Sequence, residues 1–212
     1  VSAGPSARVN LDAIYNSGTV YYSFALKVTE LGSLGTSGGY VNGFNNAQNA
    51  QTGTPTVATD VVMIRQSSVT AGTYNLGVRK GSGGPDWGAT DFGLDDTVFV
   101  VGSYTFNTGS GTDDVAKMWL NPDPSTFGGA TPADQLVHNQ ASQADIAQIA
   151  SLIFFRRGSA SLQPNSMLVD EVRIGTTWAD VTPQVPEAGT LTLFVIGIMG
   201  AVATRWQRSR KH

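Results

Sequence analysis

The sequence of 212 residues contains no cysteine. Disulfides, thiolate metal sites and a cysteine nucleophile are therefore excluded. Histidine is nearly as scarce, because His138 is the only one outside the extreme C-terminal end. A multi-histidine metal site is excluded as well, and a Ser-His-Asp triad has no support. Without disulfides, the folded chain must rely on its hydrophobic core and on any cations that it binds.

Positive charge is also sparse before the C-terminal end. Residues 1–187 carry nine Lys and Arg against sixteen Asp and Glu, a formal charge of −7, and the last eight residues add four positive charges. An acidic body repels phosphate, so nucleic acid is excluded as a partner. With the end of the chain set aside, about 185 residues remain, enough for one domain with a sizeable core.

Glycine is abundant, with 25 residues, and it is accompanied by nine prolines and many Ser, Thr and Asn. This composition is typical of a protein built from strands and turns. Apolar or alternating segments predict strands at residues 8–11, 20–29, 60–66, 74–80, 97–106, 114–120, 151–157 and 167–175. Residues 145–149 are predicted to form one or two helical turns, and residues 32–43, 45–56 and 81–91 to be polar loops. The sequence therefore predicts an all-β, antiparallel β-sandwich.

Three segments carry a more specific resemblance: 98–104 (VFVVGSY), 117–122 (KMWLNP) and 168–175 (LVDEVRIG), the last leading into 177–183 (TWADVTP). Together they resemble the laminin G-like, concanavalin A-like jelly roll over residues 20–183. Domains of this kind begin with further strands, so the resemblance implies that the chain is N-terminally truncated. Its motifs are informative about fold and poor guides to function.

The closing strand, 167–175, allows a prediction about side-chain direction. Asp170 has the parity of Leu168 and Val172, so we expect it to point inward. Glu171 and Arg173 share the opposite face, where we expect a surface ion pair.

The C-terminal end has three parts in a fixed order. Val185, Pro186 and Glu187 precede a run without ionisable side chains at residues 189–204, and a basic end follows. Sixteen residues make a helix of about 24 Å, slightly short of a hydrocarbon core of about 30 Å. Trp206 at the headgroup level and a snorkelling Arg205 compensate. A buried core helix is the alternative, but the run lacks the polar face that such a helix shows.

The order and terminal position of these parts resemble the PEP-CTERM sorting signal, which is processed by exosortase, a membrane transpeptidase. The family usually reads Pro-Glu-Pro, and here Ala188 replaces the second proline. The resemblance implies export, retention by a transmembrane helix, cleavage near Pro186 and Glu187, and release or attachment at the cell surface.

The charge pattern and this resemblance together give the domain organisation. We expect a jelly-roll domain at 1–182, a linker with the sorting motif at 183–188, a transmembrane helix at 189–205 and a basic cytoplasmic tail at 206–212. The residues expected to stop translocation are Arg205, Arg208, Arg210 and Lys211. Exosortase and the inner membrane are the expected partners before processing.

Catalytic carboxylates are not evident. Glycosidases on the jelly-roll fold carry acidic side chains at alternate positions of one strand, so that two carboxylates flank one glycosidic bond. The only glutamates are Glu30, Glu171 and Glu187, and none stands in such a pattern. Asp170 and Glu171 are adjacent and face opposite sides of their strand. We therefore expect no catalytic residues and a protein that is not an enzyme.

Two sets of residues remain as candidate binding groups. Asp95, Asp96, Asp113 and Asp114 lie in loops at strand entrances, where carboxylates are suited to calcium; solvated turn residues are the alternative, so no cofactor is expected and calcium stays open. Tyr40 and Trp87 are aromatic residues in polar loops and are suited to stacking on sugar rings. Lids over the core are the alternative for both rings.

The expected function is that of an exported cell-surface or extracellular-matrix protein with a structural or glycan-associated role. The glycan association is implied by the resemblance, because that family accompanies exopolysaccharide production. The alternatives are a carbohydrate-active enzyme and a calcium-dependent adhesion module on a concanavalin A-like fold.

Overall fold

The computed structural model describes residues 7–49, 57–133, 135–138, 143–155 and 158–183. Contacts divide the chain into two units, Val1–Thr182 and Pro183–His212, and every described residue except Pro183 belongs to the first. The sorting motif, the expected transmembrane helix and the basic tail lie outside the described residues. Among the described residues, no helix is long and apolar enough to cross a membrane.

The first unit consists of two antiparallel sheets, which confirms the predicted all-β sandwich. The six-stranded sheet has the order β1-β10-β3-β4-β5-β6, and the five-stranded sheet has the order β11-β2-β7-β8-β9. The strands are β1 (Ala7–Tyr15), β2 (Thr19–Glu30), β3 (Gly39–Asn45), β4 (Thr59–Gln66), β5 (Tyr74–Arg79), β6 (Asp86–Phe92), β7 (Thr97–Thr105), β8 (Val115–Leu120), β9 (Leu136–His138), β10 (Ile149–Phe154) and β11 (Ser166–Gly175).

The main core lies between the sheets and follows the alternation of the strands. Every second residue of β2 is fully buried there: Val20, Tyr22, Phe24, Leu26 and Val28. The six-stranded sheet contributes Val62, Ile64, Leu76 and Val78 from β4 and β5. Each such side chain contributes about 1.5–3 kcal/mol by leaving water.

A second, smaller core covers the other face of the five-stranded sheet. The short helix α1 (Trp178–Val181) places Trp178 against Trp119 of β8, with ring centroids 5.1 Å apart. Thr177 and Asp180 form a capping box at the start of α1. The end of the described chain is thereby fixed to this face.

The sequence prediction missed three strands, β3, β6 and β9. In β3, Gly39 is required by a close approach, because a Cβ there would lie 1.9 Å from the carbonyl oxygen of Leu162. Glycine and polar residues at such positions resemble a loop in sequence. The predicted helical turns at 145–149 are also wrong, since these residues are irregular until β10 begins at Ile149.

The predicted direction of Asp170 is wrong as well. Leu168 is 59% exposed and Asp170 is exposed, whereas Met167 and Val169 pack against the core. The register of β11 against β2 shifts between Asp170 and Arg173, where Glu171 has a φ of 56°. This bulge changes the parity within the strand. The predicted ion pair between Glu171 and Arg173 is confirmed, with Oε2 and Nη2 2.5 Å apart.

Candidate functional site

The face of the six-stranded sheet that points away from the main core is called here the outward face. Val62 and Ile64 of β4 point into the core, so their neighbours Met63 and Arg65 lie on the outward face. The same alternation in β5 places Gly77 and Arg79 there.

Four residues on the outward face form a line across four strands. Tyr40 of β3 is opposite Met63 of β4, Met63 is opposite Gly77 of β5, and Gly77 is opposite Trp87 of β6. We call Tyr40, Met63, Gly77 and Trp87 the cross-strand row. A Cβ on Gly77 would lie 2.7 Å from Cε3 of Trp87, so the indole lies close over the backbone of β5. Gly77 therefore makes room for the indole.

A guanidinium group lies against each aromatic ring of the row. Cζ of Arg65 is 4.2 Å from the centroid of the Trp87 ring, and Cζ of Arg79 is 4.5 Å from the centroid of the Tyr40 ring. Such cation–π contacts contribute about 0.5–1 kcal/mol at exposed sites and more where water is excluded. The rings therefore hold both guanidinium groups close to the sheet.

The two guanidinium groups have hydrogen-bonding capacity to spare. Within the described part of the chain, neither Arg65 nor Arg79 has a carboxylate within 4.0 Å, and the Nε atom of each is buried without a hydrogen-bond partner. Asp91 is opposite Asn75, which in turn is opposite Arg65, and its carboxylate accepts a hydrogen bond from Ser67 Oγ at 2.6 Å. Because the Nε atoms are buried, the donors that remain for an external anion are the terminal Nη groups of the planar guanidinium fork.

A third arginine on the six-stranded sheet has a structural role. Arg8 of β1 is only 2% exposed, and its Nη1 donates to Asn45 Oδ1 at 3.1 Å, to Ser151 Oγ at 3.1 Å and to the carbonyl oxygen of Ala47 at 2.8 Å. This side chain ties β1, β10 and β3 together. It differs in this respect from Arg65 and Arg79.

The structure brings Tyr40 and Trp87, the residues selected from sequence as candidate glycan contacts, into one row. Both lie on strands, so the prediction that they belong to polar loops is wrong. One face of each ring lies under a guanidinium, which means that the arginines, rather than the bare rings, are presented to a ligand. Sequence reasoning missed Arg65 and Arg79, although each directly follows a core residue, Ile64 or Val78, and so has the parity opposite to the core.

The candidate calcium ligands do not form one site. Asp95 and Asp96 precede β7, and Asp113 and Asp114 follow it, so nine strand residues, roughly 30 Å, separate the two pairs. Asp95 lies 3.5 Å from Lys27 Nζ, and Asp96 accepts a hydrogen bond from the backbone N–H of Gly93 at 2.8 Å. Both aspartates therefore have local partners.

Asp113 and Asp114 meet Asp145, with carboxylate oxygens of the three residues within 4.8 Å of one another. A buried ammonium already lies beside this cluster: Lys80 is fully buried and its Nζ donates to Asp145 Oδ1 at 2.6 Å. Asp114 accepts hydrogen bonds from Tyr104 Oη at 2.8 Å and from a backbone N–H at 2.6 Å. Burial raises the pKa of Asp114 despite these donors. The cluster therefore resembles an internal ion-pair network around Lys80, in which Oδ1 of Asp113 is buried without a hydrogen-bond partner, and calcium binding stays open.

His138 is fully buried at the edge of the sandwich. Its Nδ1 lies 2.8 Å from Asp86 Oδ2, and its Nε2 lies 3.4 Å from Gln143 Nε2. Among the described residues, no serine or threonine hydroxyl forms a hydrogen bond with this ring. The histidine links β6 to β9 and forms no triad there.

No family model and no curated protein matches the chain. Among solved structures, a native heptameric SAP-like pentraxin from Limulus polyphemus is 11% identical with a TM-score of 0.49, over 85% of this chain and 75% of that one. An endo-β-1,4-glucuronan lyase from the fungus Trichoderma reesei is 13% identical with a TM-score of 0.48, over 87% and 82%. A marine alginate lyase from Aplysia kurodai is 14% identical with a TM-score of 0.43, over 83% and 80%. At these values the similarity concerns the arrangement of strands alone.

These comparisons contradict the expectation that the protein is not an enzyme. That expectation came from the absence of a paired-carboxylate pattern, which is required for hydrolysis by a glycosidase. Alginate and glucuronan lyases are among the solved structures with a similar strand arrangement. The missing carboxylate pair therefore does not exclude an enzyme on this fold.

Proposed function

We propose that the outward face binds an acidic polysaccharide, one that carries carboxylates along its chain. The observation that supports this most directly is the state of Arg65 and Arg79. Each guanidinium lies against an aromatic ring, and neither is paired with a carboxylate of the described residues. An anionic ligand would provide the missing partners.

The physical chemistry of the guanidinium favours this class of ligand. Arginine matches a carboxylate with two parallel N–H donors, and a stacked guanidinium is already oriented, so less side-chain entropy is lost on binding. The two arginines lie on the neighbouring strands β4 and β5, and the rings that they contact belong to β3 and β6. A ligand that contacts both guanidinium groups therefore lies across several strands, and we expect a chain of sugars rather than a single one.

The experiment compares wild type with Arg65→Gln, Arg79→Gln and the double variant. Titration calorimetry with a polyuronate should show affinity reduced about tenfold for each single variant, about 1.4 kcal/mol, and no measurable binding for the double variant. The matched control is Arg173→Gln on β11, where the arginine already has Glu171 as a partner. The proposal would be contradicted if wild type bound a neutral glucan as strongly as the polyuronate. Unchanged polyuronate binding in the double variant would also contradict it.

A second candidate function is eliminative cleavage of such a polysaccharide. The observation that favours it is that Tyr40, whose phenol can transfer a proton, lies against Arg79, which can neutralise a sugar carboxylate. In this reaction a base removes the proton at C5, the C4–O bond breaks, and the electron pair leaves with the oxygen, which is then protonated. A C4–C5 double bond remains in the product, and no oxidant or water is consumed.

Tyr40→Phe separates this second function from binding. The variant keeps the ring beneath Arg79 and removes the hydroxyl. Formation of the unsaturated product, followed by its ultraviolet absorbance, should stop while polyuronate affinity stays within about twofold of wild type. Product formation at the wild-type rate in Tyr40→Phe would exclude the tyrosine as the proton-transfer group.

We also propose a more specific fold type and a route of export for the protein. The sandwich is a jelly roll of the laminin G-like, concanavalin A-like type, and the protein is exported and processed by exosortase at Val185, Pro186 and Glu187. An acidic exopolysaccharide outside the cell would then be the natural ligand. Mass spectrometry of the protein from its host tests the processing, and a mature form that still ends at His212 would contradict it.

A further inference from the structure

Strand β6 contains a bulge immediately after Trp87. Asn75 is opposite Asp91 and Gly77 is opposite Trp87, so two steps along β5 correspond to four steps along β6. Residues 88–90 therefore occupy the space opposite the single residue Leu76. Bulges of this kind redirect a strand and commonly re-aim a neighbouring side chain.

The bulge determines where Trp87 meets β5. In a regular ladder starting from the pair of Asn75 and Asp91, Trp87 would be opposite Arg79. The two extra residues leave the parity of Trp87 unchanged, so it stays on the outward face, but they move it by two positions, about 7 Å, to lie opposite Gly77. Gly77 has the space for an indole, and Arg65 can then cover that ring.

The bulge is held by one carboxamide. Nδ2 of Asn75 donates to the carbonyl oxygen of Gly88 at 2.7 Å and to that of Thr90 at 2.8 Å. Asn75 is 3% exposed, so these hydrogen bonds are shielded from water. Two carbonyl acceptors fix the orientation of the amide, because the flipped amide would place Oδ1 against both oxygens.

The other side of the bulge borders an open cleft of about 370 Å³, lined by Gly88, Ala89 and Thr90 together with Leu120 and Leu136 of the five-stranded sheet. Gly88 packs closely there, whereas Ala89 and Thr90 are exposed. The hydrogen bonds from Asn75 therefore restrain the exposed part of the bulge from the side of β5.

We infer that Asn75 is a positioning residue of the polyanion site. The side chain of Asn75 fixes the bulge, and the bulge places the Trp87 indole over Gly77. The guanidinium of Arg65 then lies against that indole. This inference rests on the proposed function, because it assigns Asn75 a role in ligand binding. Asn75 itself need not touch the ligand.

Asn75→Asp tests the inference, since it keeps the size of the side chain and replaces the donors by an oxygen that repels both carbonyls. NMR spectra should show shifted signals for the Trp87 indole N–H and the Arg65 Nε–H, and polyuronate affinity should fall about tenfold, as in Arg65→Gln. The variant that combines both substitutions should bind no more weakly than Arg65→Gln alone, because the two residues act in series. The matched control is Asn107→Asp, whose amide also donates to a backbone carbonyl, at 2.7 Å, in the β7–β8 turn.

Gly77→Ala provides a second route if Asn75→Asp folds poorly. The added methyl meets both the indole and the carbonyl oxygen of Asp86, so it displaces Trp87 together with the adjoining backbone of β6, without removing the hydrogen bonds of Asn75, and it should weaken binding by a similar factor. Affinity that depends on Arg65 but is unchanged in both Asn75→Asp and Gly77→Ala would overturn this inference and leave the proposed function standing. Affinity that depends on none of these residues would overturn both.

Discussion

The side chain of Asp60 is a buried carboxyl group whose protonation affects the stability of the fold. Asp60 is fully buried, neither of its carboxylate oxygens has a hydrogen-bond partner, and its φ is 48°. Burial raises the pKa of this carboxyl well above its usual range. Tyr22 donates from Oη to the carbonyl oxygen of Asp60 at 3.0 Å, and burial raises the pKa of Tyr22 as well. Burial therefore favours the neutral form of this carboxyl.

The first prediction concerns the pH dependence that follows. The raised pKa contributes stability that is fully present below the unfolded pKa, about 3.9, and is lost as the pH rises toward the folded pKa. Asp60→Asn removes this loss, and Asn tolerates the positive φ. At pH 7 the variant should unfold with a free energy more than about 1 kcal/mol above that of wild type, the equivalent of one pKa unit.

Denaturant titrations over the range from about pH 3 to about pH 8 measure that difference, which should vanish at the acidic end, below the unfolded pKa. Parallel stability profiles for Asp60→Asn and wild type across the range would contradict the assignment of a neutral buried carboxyl.

The second prediction concerns the buried ammonium of Lys80. Lys80→Met removes the cation beside Asp145, Asp113 and Asp114 and should cost about 3–5 kcal/mol, since it leaves carboxylates uncompensated. Because Lys80 supplies that positive charge in wild type, calcium or EDTA should not change the wild-type melting temperature. Scanning calorimetry measures both effects. A rise in the wild-type melting temperature with millimolar calcium would show instead that the aspartates bind the metal.

At the scale of elements, helix α1 fixes one face of the sandwich. Trp178 is 2% exposed, packs on Trp119 and donates from Nε1 to the carbonyl oxygen of Thr126 at 3.0 Å. Ser23 of β2 donates from Oγ to the carbonyl oxygen of Val181 at 2.7 Å. Helix α1 therefore covers the part of the outward side of the five-stranded sheet around Val101 and Trp119.

The third prediction is that Trp178→Ala lowers the free energy of unfolding by about 3–5 kcal/mol, the usual cost of removing a buried aromatic side chain. Chemical denaturation measures it. The matched control is Leu168→Ala on β11, which should change stability by less than about 0.5 kcal/mol because Leu168 is 59% exposed. Equal losses in the two variants would mean that the parity assigned to β11 is wrong.

The elements also show what the sequence can and cannot predict. The period-2 pattern of β2 and the apolar runs of β4 and β7 were sufficient to predict these strands and a sandwich. β6 was missed because it mixes Asp, Thr and Gly with apolar residues and its bulge interrupts the alternation. The direction of Asp170 was wrong because the bulge at Glu171 reverses the parity of β11. A bulge is defined by how two strands pair. The hydrophobic pattern of one strand alone therefore cannot predict it.

The candidate site was predictable only in part for the same reason. Tyr40 and Trp87 were selected from sequence as ring-bearing residues, but their alignment depends on the pairing of β3, β4, β5 and β6. Arg65 and Arg79 each contact a ring that belongs to the next strand but one in the sheet. These arginine–ring pairs are more than twenty residues apart in sequence and become visible only in the folded sheet.

At the scale of the whole first unit, the two sheets have different roles. The outward side of the five-stranded sheet is covered in part by Trp178 and Val181, whereas the outward face of the six-stranded sheet presents Arg65 and Arg79. Residues 1–187 are acidic overall, with a formal charge of −7. A polyanion is therefore attracted locally, by these arginines, and repelled by the surface as a whole.

The fourth prediction is that polyuronate binding depends on ionic strength. The ion pairs formed with Arg65 and Arg79 lie at the surface, and the Debye length falls from about 10 Å at 0.1 M salt to about 3 Å at 1 M. Affinity for the polyuronate should therefore fall severalfold over this range, as measured by calorimetry. Affinity that is constant or rises with salt would indicate apolar stacking on the rings rather than charge recognition.

An NMR titration with a short acidic oligosaccharide tests the central claim most directly, with a neutral oligosaccharide of the same length as control. The account predicts that the acidic ligand shifts the Nε–H signals of Arg65 and Arg79 together with the indole signal of Trp87, while the signals of α1 and of Arg173 stay in place. Shifts confined to residues outside the outward face, or equal shifts with the neutral ligand, would contradict it.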